Sequence, residues 1–413
     1  MPLFSFPTQL PNKELIPNLF RQEFSKIVAV LCKNYGVSNL QLAEDAVSDA
    51  FLKASETWAF KGLPENPKAW LYAASKNRLL DQFKHEKIFE QKIAPELKQE
   101  EFAEPPSEFS NALIKDNLLQ MLFAVCHPHL PAEGKVALAL RILCGFGVEE
   151  IATALLTTKP TINKRLLRTK EKIRNLDIKM ELPPENELHE RLGGVLTVLY
   201  LLFNEGYYSS GNTKAIRKEL CFESMRLTYS LTELSLTNQP EVQALLSLFC
   251  FQSSRFDARI DNEGQNVLYQ DQNPKDWNQE LIERGRYYLN LSARGNGLTK
   301  YHIEATIAEQ HTHSDDELPN KWKTILMLYN QLLQIQYSPI VALNRTYAFA
   351  KVYGNEKAIL EAEKIDLKEY HFYHALLGEL YTAVDSEISK RHWNLAVEKA
   401  KNNREKEFYL SRL

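Results

Sequence analysis

The chain has 413 residues, 44% hydrophobic and 25% charged, with a formal net charge of −3 at pH 7. That balance excludes disordered, collagenous and membrane-embedded classes, and at roughly 150 residues per domain the length implies two to three domains. Whole-chain charge advertises no nucleic-acid partner, so any such signal has to be local. The longest apolar runs, such as Val198 to Phe203, fall far short of the roughly 18 residues a bilayer span needs. Met1-Pro2-Leu3-Phe4-Ser5-Phe6-Pro7 has neither the basic start nor the cleavage site of a secretory leader, so a cytoplasmic location is expected. Cys32, Cys126, Cys144, Cys221 and Cys250 are scattered and never spaced Cys-x-x-Cys. Reduced, mostly buried thiols follow, rather than a disulfide framework or a zinc site.

Apolar residues recur at helical spacing almost throughout, and only 15 glycines interrupt the chain; the fold class expected is all-α. Residues 14–88 open with two amphipathic helices, Phe20 to Cys32 and Leu40 to Trp58. Asn66 then caps a third, with Pro67 at its first position, where a missing N–H costs nothing. This third helix runs through Trp70, Leu71, Ala74, Leu79 and Phe83. Its polar side carries Lys68, Lys76, Asn77, Arg78, Lys84 and Lys87 around Asp81, with Trp70 and Tyr72 interleaved. Cations of that kind follow a phosphate backbone and aromatics hold unstacked bases, although Trp70 itself reads better as core. Glu44, Asp45 and Asp49, on the second helix, fit an exposed docking surface better than acid–base chemistry.

Residues 89–110 are expected to be an acidic linker. From 86 to 108 seven glutamates face three lysines, 3 minus 7 or −4, and Pro95, Pro105 and Pro106 break any helix. Residues 111–178 are helical again. One helix stops at Cys144-Gly145-Phe146-Gly147, and Val148, Ile151, Ala152 and Leu155 form a short second one. Leu156-Thr157 is the turn, and Thr158 caps a third helix whose first turn holds Lys159 and Pro160. Its buried stripe is Ile162, Leu166 and Ile173. The other faces carry Lys159, Lys164, Arg165, Arg168, Lys170, Lys172 and Arg174 against Glu171, 7 minus 1 or +6. Two short helices at a tight turn, the second cationic, suit insertion into a major groove. Thr161, Asn163, Lys164 and Arg165 reach toward base edges, and Arg168 toward backbone. Pro183-Pro184 marks the next boundary, and 188–413 reads as an aromatic-rich array of paired helices. There Leu377-Gly378, Tyr381, Trp393 and Ala396 follow the small-and-large packing of a helical repeat. Cys126-His127-Pro128-His129, and His311-Thr312-His313 with Asp315 and Asp316, lack a second ligand group at zinc spacing, so no metal is expected.

In this order the pieces resemble bacterial sigma factors of the extracytoplasmic-function type, built of region 2 and region 4 joined by a short linker. Leu42-Ala43-Glu44-Asp45-Ala46-Val47-Ser48-Asp49-Ala50-Phe51-Leu52-Lys53-Ala54 resembles region 2.2. Asn66-Pro67-Lys68-Ala69-Trp70-Leu71, followed by Ser75-Lys76-Asn77-Arg78-Leu79-Leu80-Asp81, is similar to regions 2.3 and 2.4. Glu149-Glu150-Ile151-Ala152 and the run from Thr161 to Lys170 resemble region 4. The remainder is similar to the subgroup with a long C-terminal, tetratricopeptide-like extension, through Leu199 to Tyr207, Asp257-Ala258-Arg259, Asp271-Gln272-Asn273 with Trp277, and Ser338 to Arg345.

The resemblance implies a division of labour. Asp45, Ser48, Asp49 and Lys53 would dock on the clamp helices of core RNA polymerase. Lys61, Asn66, Lys76, Asn77, Arg78 and Lys84, with the loop from Phe60 to Asn66, would hold a flipped base and the single strand of the minus-10 element. Lys159, Thr161, Asn163, Lys164, Arg165 and Arg168 would read the minus-35 duplex. The C-terminal array would bind a protein partner or the chain's own sigma regions and regulate activity. No catalytic residue and no cofactor is implied. A DNA-binding regulator that does not join polymerase, and a helical scaffold whose basic helix is incidental, are the other readings; a base-capturing loop in region 2 is what neither of them needs.

Overall fold

The structure is a computed structural model that describes residues 12–85, 111–155, 157–207, 218–259, 267, 269–295, 297–313, 318–400 and 403–413. The expected acidic linker, Lys87, Leu156, Asp315 and Asp316 lie outside the described residues. Among the described residues every regular element is a helix, so the all-α expectation holds. None of these helices is long and apolar enough to cross a membrane. The chain divides into two compact units, Met1–Leu201 and Leu202–Leu413.

The first unit contains α1 (Asn12–Tyr35), α2 (Leu40–Lys61), α3 (Pro67–His85), α4 (Asn111–Val125), α5 (Ala132–Ile142), α6 (Val148–Ala154), α7 (Lys159–Asn175) and the first part of α8 (Glu185–Tyr207). Local chemistry sets the ends. α2 stops at Gly62, whose φ of 80° only glycine adopts without strain, and the Gly62 N–H donates to the Trp58 carbonyl at 3.2 Å. α3 starts where Asn66 Oδ1 accepts the Ala69 N–H at 3.1 Å. The core joins Phe24, Ile27 and Leu31 of α1 to Val47 and Phe51 of α2, Leu71 and Phe83 of α3, and Leu122 and Phe123 of α4, all buried. α4 packs on α1, α5 on α7, and α7 reaches the short turn Val37–Asn39 before α2. The helices the sequence assigns to two separate DNA-binding pieces therefore share one unit.

The second unit continues with α9 (Lys218–Thr232), α10 (Pro240–Ser254), α11 (Gln279–Ser292), α12 (Lys300–Gln310), α13 (Lys321–Ile335), α14 (Pro339–Tyr353), α15 (Asn355–Ala362), α16 (His371–Tyr381), α17 (Ser386–Lys399) and α18 (Asn403–Leu410). From α12 onward each helix packs on the next, in hairpins. At one of these contacts Gly378 on α16 faces the Trp393 indole so closely that a Cβ would stand 2.8 Å from the ring, which is why the small residue is needed there. Tyr207 ends α8 buried, with the Arg259 guanidinium 4.0 Å above its ring. Burial works to raise its phenol, and the charges of Arg259 and Arg255 outweigh it and hold the group below its ordinary range. All five cysteines are buried and free of disulfides; burial pushes Cys126 and Cys250 up to about 12, so they are inert thiols.

Candidate nucleic-acid interface

Two cationic surfaces stand on the first unit. On α3, Asn77, Arg78 and Lys84 are exposed and Lys76 is half-buried, because the buried stripe Leu71, Ser75, Leu79, Phe83 turns the intervening positions outward. Beside them the α2–α3 loop presents exposed Lys61 and Asn66 and an apolar tip: the Phe60 side chain is 92% exposed. The ring thus stands in solvent beside the cations of α3. Trp58 and Trp70 lie beneath, edge to face at 5.4 Å, with Trp58 buried. Trp70 thus packs on a core indole.

The second surface is α7. Thr158 caps it, its Oγ1 accepting the Thr161 N–H at 3.4 Å, with Pro160 in the first turn. Ile162, Leu166, Thr169 and Ile173 are buried, which leaves Lys159, Asn163, Lys164 and Arg168 exposed and Thr161 and Arg165 half-buried. Arg165 is held by Glu133 of α5 at 2.9 Å and Lys159 by Glu149 of α6 at 2.5 Å. The Lys159 hydrogen bond and charge hold the Glu149 carboxyl below its ordinary range. These are solvent-screened surface pairs, weak enough for a phosphate to displace.

The candidate polymerase-docking residues lie along one side of α2. Asp45 and Lys53 are exposed and Ser48 and Asp49 half-buried. Asp49 accepts from Arg78 Nε at 2.7 Å, so a residue assigned to docking and one assigned to DNA meet in one ion pair. Gln41 donates to both Asp45 carboxylate oxygens at 2.9 Å.

Glu44 is different. The sequence reading placed it on an exposed docking face with Asp45; in the structure its side chain is 6% exposed. Arg141 Nε of α5 donates to Glu44 Oε1 at 2.5 Å, and Lys170 Nζ of α7 donates to Glu44 Oε2 and, at 2.7 Å, to Gln41 Oε1. A buried carboxylate requires such partners, because desolvation otherwise costs several kcal/mol. The signal was present: Glu44 stands four residues after Leu40 and three before Val47, both buried, which puts it on the inward stripe of α2. Its cationic partners, 97 and 126 residues away in the chain, carry no such signal. Among the described residues no three histidine, cysteine or acidic side chains gather to hold a metal ion.

Comparison with known proteins identifies the three helices that carry the first surface. Residues 20–88 match Sigma-70 region 2. The chain carries a sigma-70 region 2 domain. That domain supports a sigma-70 family factor with a role in transcription initiation. The chain is 34% identical over 348 residues to an uncharacterized protein of Rhizobium meliloti, a match that covers 83% of this chain and 82% of the other, and the two belong to one family. Residues 191–293 match a family of unknown function, DUF6596. No solved structure matches the chain.

Proposed function

We propose that this protein is a promoter-specific sigma factor of the extracytoplasmic-function type with a regulatory C-terminal domain. It recruits core RNA polymerase through Asp45, Ser48, Asp49 and Lys53. It opens the minus-10 element with α3 and the Phe60–Asn66 loop, and reads the minus-35 duplex with α6 and α7 as a helix-turn-helix. In this reading 14–88 is region 2, 111–178 is region 4, and 188–413 is a tetratricopeptide-like array that binds a protein partner. The observation that carries it is the coincidence of the sigma-70 region 2 match with α1–α3, whose outer surface presents exposed cations beside an unshielded aromatic tip.

The energetics support melting without a nucleotide-driven step. Extruding a base costs a few kcal/mol of unstacking, and stacking on a side chain returns about 1–3 kcal/mol per base. Phosphate contacts from Lys76, Arg78 and Lys84 along the open strand add to the second term, and binding alone shifts the duplex toward the open form. Nothing in that scheme requires a catalytic residue.

Run-off transcription with purified core polymerase and fragments of the source genome tests the proposal. Initiation from defined fragments, dependent on the added protein, is the expected result. DNA binding without initiation would instead indicate a helix-turn-helix regulator that does not join polymerase.

A further inference from the structure

We infer that Glu44 is a charged latch that holds the basic helix α7 against α2 in the free protein and must open for promoter engagement; the inference rests on the sigma-factor reading for what opens it, not for the latch itself. Three charged side chains from three helices meet there with little water. Their exposures are 6% for Glu44, 9% for Lys170 and 17% for Arg141. The guanidinium of Arg141 is fixed further by the Phe146 carbonyl at 3.0 Å and lies 5.6 Å over the Phe24 ring of α1. Lys170 also holds Gln41, and Gln41 holds Asp45, so the first acid of the candidate docking face is wired to the recognition helix through one amide side chain.

Geometry makes the closed arrangement incompatible with the proposed task. The minus-10 and minus-35 elements are by their names ~25 base pairs apart, about 85 Å of duplex at roughly 3.4 Å per base pair. α3 packs on α2, and α7 touches α2 through Lys170 and Glu44 at hydrogen-bond distance. One protein cannot place α3 and α7 on both elements while that contact persists. The chemistry also favours a switch over a fixed joint. A buried carboxylate shared by two cations is strongly held while intact and strongly unfavourable once one partner leaves, so the contact has two states rather than a gradual range. When the pair parts, the charges are hydrated: Glu44 on one side, Lys170 and Arg141 on the other, and Lys170 adds a cation to the basic face of α7. A partner that draws Asp45 away from Gln41 loosens Lys170 first.

The test is a distance measurement on the full chain carrying spin labels at Glu56→Cys on α2 and Asn175→Cys on α7, both exposed positions, with the native cysteines buried. The wild-type background should give one short, narrow distance. Glu44→Lys, which sets three cations together, should replace it with a broad, longer distribution, and Lys170→Glu added to that variant should restore the short one. Glu44→Gln, the milder change, should raise the open population at least several-fold if Glu44→Lys does not fold. Retention of the wild-type distribution by folded Glu44→Gln and Glu44→Lys chains would overturn the latch. Adding core polymerase to the wild-type chain should lengthen the distance; polymerase bound with the short distance unchanged also overturns it. Failure of polymerase to bind at all would sink the sigma-factor reading, while the Glu44 variants still decide the latch.

Discussion

At the scale of single residues, the first unit contains two positions whose environment dictates a measurable response. His127 follows α4, and burial lowers its pKa to about 4, helped by the charges of Arg191, His129 and Lys135. Its Nδ1 accepts the His129 N–H at 3.4 Å, a contact open only to the neutral ring. The unfolded chain protonates this imidazole from about pH 6.5 downward and the folded chain only near pH 4, so between those values the unfolded state binds more protons. The His127 contribution to stability is therefore constant above about pH 6.5, falls as pH drops toward 4, and levels off below. Denaturant titrations at a series of pH values should show that slope reduced in His127→Gln; an identical slope removes His127 as its source. Gly134 on α5 is set by volume instead. A Cβ there would stand 2.2 Å from Thr169 Oγ1, and Thr169 is buried and bonded to the Arg165 carbonyl at 2.7 Å, so it has nowhere to go. Gly134→Ala should cost about 1–3 kcal/mol by overpacking, read from the denaturant midpoint. Thr169→Ala in the same chain should recover part of it.

At the scale of elements, the basic helix α7 combines a cap, a buried stripe and a cationic face, and the three answer to different tests. Arg165→Ala should weaken binding to a promoter fragment chosen by run-off by about 1–3 kcal/mol through the minus-35 half, with minus-10 binding intact. Because Glu133 competes for the same guanidinium at 2.9 Å from a position 72% exposed, Glu133→Gln should move affinity in the opposite direction by less than 1 kcal/mol. Fluorescence anisotropy on labelled duplex measures both, and equal affinity for Arg165→Ala and wild type rejects the contact. The same helix shows what a sequence discloses. Thr158 as cap and Ile162, Leu166 and Ile173 as stripe are legible because cap chemistry and the 3.6-residue period are local properties. Thr169 lies on the same stripe, seven residues after Ile162, and escaped because hydroxyl residues are usually outward. Glu44 escaped for a stronger reason: an acid beside Asp45 reads as surface until the fold brings Arg141 and Lys170 to it. The cationic faces were legible as charge, but their packing into one unit with α2 was not, since tertiary contacts between distant segments leave no periodic trace.

At the scale of the molecule, the unit boundary falls inside α8, and that determines how the proposed regulatory role of the C-terminal domain should be tested. Between Glu185 and Leu201, α8 buries Leu188, Leu192, Val195, Leu196, Val198 and Leu199. Arg191 donates to the Phe123 carbonyl at 3.2 Å, and Gly194 lies 3.8 Å from the Cys126 carbonyl. These contacts belong to the first unit. A chain cut at residue 190 therefore removes both of these contacts together with five aliphatic side chains that are buried in the full chain, each worth about 1.5–3 kcal/mol of burial, and confounds lost regulation with lost stability. A chain ending at Leu201 keeps them and removes only the second unit. The expected outcome is that 1–190 melts well below 1–201 by calorimetry, and that 1–201 initiates from the same promoters as the full chain at an altered rate. If 1–201 selects different promoters, the C-terminal unit takes part in recognition and its assignment as a regulator fails. Should both truncations melt alike, α8 adds nothing to the first unit, and residue 190 becomes an acceptable place to cut.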